Sequence, residues 1–448
     1  MKNIRAHLQW VPVAAAAIAL TSCGDMARLT VEQGMGPTPA LPSPRSSLIP
    51  TIDIAPAQGW PNGATPAAAP GLHVNAFATG LSHPRWLYVL PNGDVLVAES
   101  NAPRAPTASP SLKGFIMKVV MKRAGAGVPS ADRITLLRDA DGDGVAELRS
   151  LFLAKLYSPF GMALVRDDFY VANADAIMRF PYQPGQLTLT TAGVRLTELP
   201  GGPINHHWTK NIVADAAGTH LYATVGSNSN VGENGLDNEL GRAAIWEVDL
   251  PGGTARLYAT GLRNPNGMAW VRDTGQLWTV VNERDEIGSD LVPDYLTSVT
   301  PGGFYGWPYS YYGQHVDARV APSDSVLVAS ALVPDYALGP HTGSLGLAYS
   351  DGTVLSPRFG AGMFVGQHGS WNRKPRSGYK VIFIPFAQGR PTGAAIDVLT
   401  GFVSERGNAW GRPVGVAAHA DGALLIADDV GNAVWRVTTS SSVNPASP

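Results

Sequence analysis

The chain has 448 residues, of which 45% are hydrophobic and 15% are charged, against roughly 25% charged in an ordinary globular protein. This composition allows a large buried core and excludes a chain that is disordered along its whole length. The formal net charge of -2 creates no field that would gather phosphate backbones, so we expect no nucleic-acid partner. Fifty glycines and 36 prolines favour many turns and few long helices, and therefore an all-β protein.

The first 23 residues have the order of a bacterial export signal. Lys2 and Arg5 precede an apolar run from Val11 to Leu20, and small residues follow it. The run is too short to span a bilayer as a mature helix. Cys23 is the only cysteine, and the sequence Leu-Thr-Ser-Cys that it ends resembles the lipobox of bacterial lipoproteins. We expect a protein exported to the periplasm and lipidated at Cys23; a soluble secreted protein cleaved nearby is the alternative.

Three further segments follow the signal. Residues 24–70 are rich in proline, alanine, serine and glycine, which is typical of a linker, and we interpret them as a tether. Residues 71–440 are expected to form the main folded domain, and residues 441–448 a disordered tail. With Cys23 acylated, no disulfide could form, so stability would have to come from sheet packing, with or without bound metal.

One sequence unit recurs six times after residue 79. Each copy has a polar or proline-containing corner, an apolar strand, a turn and a second apolar strand that ends in polar residues. The copies begin at Gly80, Tyr157, Asn205, Gly261, His341 and Gly411. Their spacing of roughly 50 to 80 residues exceeds the 40 to 45 of a minimal four-stranded blade and indicates loop insertions. The repeat predicts a six-bladed β-propeller, with a series of separate β-sandwich domains as the alternative.

The stretch from Leu72 to Thr79 resembles the outer strand that precedes later copies, such as Ala255 to Thr260. It stands before the first copy, so we expect it to complete the sixth blade. That pairing would close the ring and remove the exposed edge that an open sheet leaves.

Blade topology predicts where a site would lie. In an up-and-down blade, the loop entering the innermost strand and the loop leaving the second strand share one face. Polar residues gather in those two sets of loops. The entering loops include His83, His206, His207, Arg263, His341, Thr342 and Arg412, and the leaving loops include Asn228, Asn230, Glu283, His368, Asn372, Arg373 and Lys374. The sequence therefore predicts a cationic funnel lined with histidines over the central axis.

His207 is the candidate proton-transfer group of this funnel. A histidine titrates near neutrality, and this one opens an innermost strand that faces the axis. A structural histidine is the alternative. His206 should point elsewhere if the segment is extended.

Several motifs occur in order over about residues 70 to 440. They are Ser158-Pro159-Phe160-Gly161-Met162, Gly226-Ser227-Asn228-Ser229-Asn230, Gly261-Leu262-Arg263-Asn264-Pro265, Gly302-Gly303-Phe304-Tyr305-Gly306-Trp307-Pro308 and Gly369-Ser370-Trp371-Asn372-Arg373. Together they resemble the pyrroloquinoline quinone-dependent glucose and sorbosone dehydrogenase family, with the L-sorbosone branch closest. The resemblance implies hydride transfer from an aldose or a sugar-derived aldehyde to the quinone, assisted by Ca²⁺, with electrons passing to an acceptor of the envelope respiratory chain.

The resemblance also implies roles for particular residues. His207 would be the base, Asn230 would touch the quinone, Arg412 would bind it, and either Lys374 or Arg373 would be the fifth-blade cation. Such cations suit a cofactor with three carboxylates.

Four other positions complete the predicted site. Arg263 and Thr342 are further cofactor-binding candidates. Tyr305 and Trp307 could line a sugar cleft, although packing between blades is the alternative. Ser229 and Pro159 stand where the glucose-oxidising relatives have arginine and glutamine, which disfavours glucose itself as the substrate.

Acidic residues at alternate positions suggest a calcium loop. Asp139, Asp141 and Asp143 surround a glycine turn, and Glu147 follows, as at the start of an EF-hand, although the twelfth position is Ser150. We predict a structural metal site in this insertion, with a solvated turn as the alternative.

Two other classes of function remain open at the level of sequence. A calcium-dependent lactonase on the same fold would need acidic and amide ligands at the axis, which Glu99, Asn173, Asn282 and Asp428 could supply. A non-catalytic recognition propeller tethered to the envelope is the other.

Overall fold

The computed structural model describes residues 24–45, 51–103 and 119–440. The expected signal peptide with Cys23 and the expected tail at residues 441–448 lie outside the described residues. Within those three ranges, most of the regular structure is antiparallel sheet. The same ranges contain no helix with the length and hydropathy needed to cross a membrane.

Six up-and-down sheets form the blades of a propeller, which confirms the predicted fold. Three strands precede the first blade: β1 (Met35–Gly36), β2 (Ala67–Ala68) and β3 (Leu72–Ala78). Blade 1 contains β4 (Pro84–Val89), β5 (Val95–Glu99), β6 (Arg133–Arg138) and β7 (Leu148–Leu153). Blade 2 contains β8 (Met162–Val165), β9 (Asp168–Ala172), β10 (Ala176–Pro181) and β11 (Val194–Glu198). Blade 3 contains β12 (Ile212–Ala214), β13 (His220–Val225), β14 (Ala244–Asp249) and β15 (Ala255–Thr260).

The second half of the ring carries insertions. Blade 4 contains β16 (Asn264–Val271), β17 (Gln276–Asn282), β18 (Pro293–Ser298) and, after an excursion through β19 (Ser310–Tyr311), β20 (His315–Val316) and α1 (Ser325–Ser330), strand β21 (Tyr336–Pro340). Blade 5 contains β22 (Ser344–Asp351), β23 (Ala361–Gln367), β24 (Lys380–Ala387) and β26 (Ile396–Thr400), with β25 (Arg390–Pro391) paired to the end of β24. Blade 6 contains β27 (Pro413–Ala418), β28 (Leu424–Asp428), β29 (Ala433–Thr439) and β3. Short 3-10 turns lie at Glu32–Gly34 and Leu236–Glu239.

The ring is closed by the strand that the sequence placed there. Strand β3 pairs antiparallel with β29, from Leu72 opposite Thr439 to Ala78 opposite Val434. Each innermost strand contacts the next around the axis, in the order β4, β8, β12, β16, β22, β27 and back to β4. This closure leaves no free edge between the first and last blades.

The core lies between the faces of adjacent blades. Second strands such as β5 and β28 are buried at every position, as expected for strands covered on both faces. Near the axis the backbones approach closely, so that a side chain on Gly346 would collide with the carbonyl oxygen of Val414. Glycine is therefore needed where blades 5 and 6 meet.

Residues 24–45 and 51–70 lie on the propeller, and not away from it as the expected tether would. Strand β1 extends blade 4 by pairing with β21, and β2 extends blade 5 by pairing with β26. The Trp60 indole donates to Asp428 at 2.7 Å and packs against Trp410 and Trp435. An extended, proline-rich segment can pair at sheet edges, because prolines are tolerated there. The domain boundaries themselves stay a prediction.

Candidate active site

The site-bearing face of the propeller holds the loops that enter the innermost strands and the loops that leave the second strands. His207 lies just before β12 and is half-buried. Its Nδ1 is 2.8 Å from the Ser227 carbonyl oxygen and 3.0 Å from Ser227 Oγ. The Ser227 hydroxyl donates its own proton to the Ser229 carbonyl, so both oxygens act as acceptors. Nδ1 therefore carries the proton, and Nε2 keeps its lone pair.

The surroundings of His207 favour its neutral form. Burial lowers the pKa of His207 well below the ordinary value, and the nearby charge of Arg263 lowers it further. The ring of His206, which is exposed, meets it edge to face at 4.6 Å between centroids. Among the described residues, no hydrogen bond or ion pair joins His207 to a carboxylate. His207 is thus a neutral base at neutral pH.

His341 is held in the opposite state. Its Nε2 lies 3.0 Å from the Gly288 carbonyl, and its Nδ1 lies 3.3 Å from Asp285 Oδ1, so both ring nitrogens face acceptors. Burial alone would lower the pKa of His341, but the hydrogen bond and charge of Asp285 raise it above the ordinary value. The charge of Asp294 acts in the same direction on His341, and burial raises the pKa of Asp294 itself to about 6. His341 is therefore an imidazolium fixed beside Asp285.

Arg263 and Asn230 meet, but they bind each other. Arg263 is 3% exposed and donates to both oxygens of Asn230 and to the carbonyl of Glu283. The Asn230 side-chain amide accepts from the backbone N–H of Asp285 and donates to its carbonyl. The predicted cofactor contacts thus form a brace between blades 3 and 4. Asp285 joins this brace to His341 through its carboxylate.

A second polar cluster lies between blades 1, 5 and 6. Asp429 Oδ2 accepts from Arg85 at 2.5 Å and from His368 Nε2 at 2.9 Å, and lies 3.6 Å from His83 Nε2. Arg412 is 3% exposed, donates to the Ala55 carbonyl and lies over the Tyr379 ring at 5.0 Å.

A cavity of about 120 Å³ is lined by His83, Arg85, His368, Arg412 and Asp429, among other residues. Within the described part of the chain, three residues that line this cavity each have a buried atom without a hydrogen-bond partner: Arg85 Nε, Arg412 Nε and Asp429 Oδ1. Burial lowers the pKa of His368 to about 4, and burial also lowers the pKa of His83. Burial would raise the pKa of Asp429, but the histidines and Arg85 hold it far below its usual range. Two guanidinium groups and one carboxylate leave a net positive pole that suits an anion.

Sequence reasoning missed Arg85, which lies within β4, the innermost strand of blade 1. The available signal was an arginine inside an otherwise apolar strand, two residues after His83. Its guanidinium lies about equally far from the Phe160 and Trp208 rings, at 6.0 and 5.9 Å.

The predicted fifth-blade contacts are mostly engaged within the protein. Thr342 is fully buried and its hydroxyl lies 3.0 Å from Asp294. Arg373 is 1% exposed and donates to the carbonyls of Pro375 and Leu29. Lys374 is half-buried and accepts a backbone hydrogen bond from Ala27 through its carbonyl. Thr342 thus packs against Asp294, and the two terminal nitrogens of Arg373 brace the loop and the N-terminal segment. Arg373 Nε has no hydrogen-bond partner among the described residues.

Tyr305 and Trp307 do not line an open cleft. They are 2% and 3% exposed. Tyr305 donates its hydroxyl to the Ser298 carbonyl, and the Trp307 indole donates to the Asn230 carbonyl. The structure supports the packing alternative for both rings, because both are buried within the excursion of blade 4 and their polar atoms bond within the protein.

The predicted metal ligands do converge. Each of Asp139, Asp141, Asp143 and Glu147 can offer an oxygen such that all four atoms lie within 4.8 Å of one another. Some of these oxygens accept from backbone N–H groups of the same loop, such as that of Gly142. The loop joins β6 to β7, so it lies on the face opposite the site. An ion held there would not reach the reacting atoms.

The ligand set required for a lactonase is already occupied. Glu99 is fully buried and binds Arg133 and Thr135 with its two oxygens. Asp428 is also fully buried and accepts from Trp60, Trp435 and the backbone N–H of Arg412. These carboxylates stabilise loops and are not free to converge on a metal at the axis.

Comparison with other proteins agrees with the fold and the motifs. An uncharacterized protein of Borreliella burgdorferi is 26% identical over 247 residues, covering 53% of this chain and 62% of that protein. A pyrroloquinoline quinone-dependent pyranose dehydrogenase of Coprinopsis cinerea is 24% identical over 335 residues, covering 60% of this chain and 44% of that protein. The chain thus spans less than two thirds of the length of these relatives.

Solved structures share the fold. The holo pyrroloquinoline quinone domain of the Coprinopsis cinerea pyranose dehydrogenase has a TM-score of 0.67 at 22% identity, covering 86% of this chain and all of that domain. A calcium structure of the Trichoderma reesei family AA12 enzyme has a TM-score of 0.66 at 18% identity, covering 87% of this chain and 99% of that one.

The sequence model of the TrAA12-like family matches residues 133–300 and 314–440. These two ranges make up more than half of the chain and run from blade 1 through blade 6. The chain therefore belongs to the TrAA12-like family, and its resemblance to the pyrroloquinoline quinone-dependent sugar dehydrogenases is confirmed at the level of family.

Proposed function

We propose that this protein is a quinoprotein dehydrogenase that oxidises an aldose or a sorbosone-like aldehyde, with pyrroloquinoline quinone as its cofactor. Membership of the TrAA12-like family and the name of the Coprinopsis cinerea relative support the reaction class. The observation that carries the proposal is the state of His207, a neutral imidazole with its proton on Nδ1 and a lone pair on Nε2.

The residues present fit an anionic cofactor. The quinone carries three carboxylates, and guanidinium groups bind carboxylates strongly through charge-assisted hydrogen bonds. Arg85 and Arg412 line the same cavity, and each has a buried Nε–H without a partner among the described residues. These two arginines would hold the cofactor. When bound, the quinone would supply the acceptor for the hydride that leaves the substrate, and the hydride carries both electrons of the oxidation.

His207 performs the proton transfer in this proposal. Its Nε2 accepts the hydroxyl proton of the sugar or hydrated aldehyde as the C–H bond breaks. The Nδ1–H group keeps its proton and its hydrogen bond to the Ser227 carbonyl oxygen, which fixes the ring during the transfer. The buried, cationic surroundings disfavour the resulting imidazolium, so His207 returns its proton readily to solvent and regains its neutral form.

Three further elements belong to the proposal. Ca²⁺ is the second cofactor, and the loop from Asp139 to Glu147 is the candidate for a structural ion. The order of charged, apolar and small residues before Cys23 supports export and lipidation in the cell envelope. Electrons would then pass to an acceptor of the envelope respiratory chain.

Reconstitution tests the proposal directly. Purified protein is loaded with the quinone and Ca²⁺, and reduction of an artificial dye is measured with a panel of aldoses and aldehydes. We expect quinone-dependent reduction that the protein without quinone does not show. No quinone-dependent activity with any member of the panel would refute the dehydrogenase and favour a recognition propeller.

A further inference from the structure

The chain is fixed to the propeller almost as soon as it leaves Cys23. Asp25 Oδ2 and the Asp25 carbonyl accept from the backbone N–H and hydroxyl of Ser289, at 2.7 and 2.8 Å. Asp25 Oδ1 pairs with Arg45 at 2.9 Å, and the Asp25 N–H donates to Thr51 Oγ1 at 2.8 Å. Asp25 therefore has one fixed position on the folded domain.

That position lies on the site-bearing face. Ser289 belongs to the loop that leaves the second strand of blade 4, between β17 and β18. Four residues before it in the same loop, Asp285 pairs with His341. One residue after it, Asp290 accepts the backbone N–H groups of Arg28 and Leu29 at 2.8 and 3.3 Å. The N-terminal segment thus approaches the propeller from the face that carries the candidate site.

The length of free chain between Cys23 and the folded domain decides how freely the domain could rotate about a lipid anchor. Had residues 24–70 been a free coil, their r.m.s. span would be about 35 to 40 Å, and the domain could turn in any direction. Cys23 is two peptide units from Asp25, so covalent geometry keeps its Cα within about 8 Å of the Asp25 Cα. An acyl group on Cys23 would therefore be attached to the site-bearing face, with almost no free chain between the lipid and the domain.

We propose that the lipid on Cys23 holds this face of the propeller against the surface of the membrane. The inference rests on the proposed lipidation and does not need the dehydrogenase activity. The surface around the attachment point suits a lipid interface: Met26 is 57% exposed and Arg28 is exposed beside it. An apolar side chain can enter the headgroup region, and a cation is attracted by anionic lipids. The candidate site then opens towards the bilayer, and the Asp139 loop points away from it.

Two fluorescent labels on opposite faces test the orientation. Leu240 lies in the loop leaving the second strand of blade 3 and is 77% exposed. Gly252 lies between β14 and β15, on the opposite face, where a new side chain would meet nothing within 4 Å. With the Cys23 sulfur acylated, Leu240→Cys and Gly252→Cys each provide the only free thiol. The acylated full-length proteins are placed in vesicles of neutral and anionic lipids that carry a quencher at the headgroup.

We expect the label at Leu240→Cys to be quenched several-fold more than the label at Gly252→Cys. Inserting a flexible glycine-serine linker of about 20 residues between Gly24 and Asp25 adds about 25 Å of span and should largely remove the difference. Equal quenching on both faces, or a difference that the linker leaves unchanged, would overturn the inference. So would mass analysis that finds no acyl group on Cys23. Dye reduction, measured separately without vesicles, shows whether the proposed function has failed instead.

Discussion

Replacing His207 with alanine separates its proposed role as base from a structural role. Even an unshifted histidine is about three-quarters neutral at pH 7, and burial brings His207 closer to fully neutral. In nearly every enzyme molecule His207 can therefore accept a proton at pH 7, so the wild-type rate includes the full effect of the base. Removing a general base costs about 10²- to 10⁴-fold in rate, or about 2.7 to 5.4 kcal/mol in the barrier. We expect this loss in kcat, with quinone binding nearly unchanged.

The assay is dye reduction at saturating quinone, with quinone affinity measured separately by fluorescence titration. His206→Ala is the matched control, because the exposed His206 ring contacts His207 only edge to face. We expect this variant to change kcat less than about tenfold, since it removes a ring contact and leaves the base in place. The wild-type acid limb of kcat should lie below pH 6.5, because the pKa of His207 is lowered and activity falls only when Nε2 becomes protonated. Wild-type turnover by His207→Ala at saturating quinone would refute the reasoning.

Three further perturbations test other parts of the site. Arg412→Met should raise the quinone dissociation constant about 10- to 150-fold, because a charge-assisted hydrogen bond contributes about 1.5 to 3 kcal/mol. The control is Arg390→Met, which should leave this constant unchanged because the Arg390 side chain is 72% exposed. Fluorescence titration measures the constant for both variants. Cys23→Ser should remove the protein from the membrane fraction while circular dichroism and Tm stay unchanged; retention there would contradict lipidation. If the acidic loop binds calcium, chelation should lower Tm by a few degrees in the wild type but not in Asp141→Asn, with kcat unchanged in both; calcium-independent Tm would favour a solvated turn.

The architecture could be predicted because it repeats. Six copies of one pattern determine the number of blades. The extra strand before the first copy finds its pairing partner in the last blade, as the pairing of β3 with β29 shows. The loops that reach the site-bearing face follow from the same meander. The face on which a loop lies can thus be predicted from the sequence of its own blade alone.

The hydrogen-bonding partners of a loop residue do not follow from the same pattern. Asn230 and Arg263 both reach the predicted face, but Asp285, 55 residues from Asn230, satisfies the Asn230 amide. Arg85 was missed for the converse reason: the pattern around it predicts a core strand, and only the arrival of Asp429 from blade 6 makes it part of a polar cluster. Contacts between blades decide which polar groups stay available to a ligand.

The N-terminal segment shows the limit of composition as a guide. A proline-rich composition predicts few helices, whether the segment is free in solution or lies along a sheet edge. The difference depends on a few specific contacts, such as Asp25 with Ser289 and Trp60 with Asp428. Single polar residues in a biased segment therefore carry more information about docking than its average composition.

Two histidines on one face illustrate how this fold assigns different chemistry to the same side chain. His207 faces a carbonyl and a hydroxyl through one nitrogen, lies near Arg263 and stays neutral, so it can accept a proton. His341 is buried between a carbonyl and Asp285, so it stays protonated and cannot serve as a base. Giving His207 a carboxylate partner, as in Ser227→Asp, would raise its pKa and remove that distinction. Neutrality of His207 thus depends on burial and the charge of Arg263, and it would be lost if a carboxylate replaced Ser227.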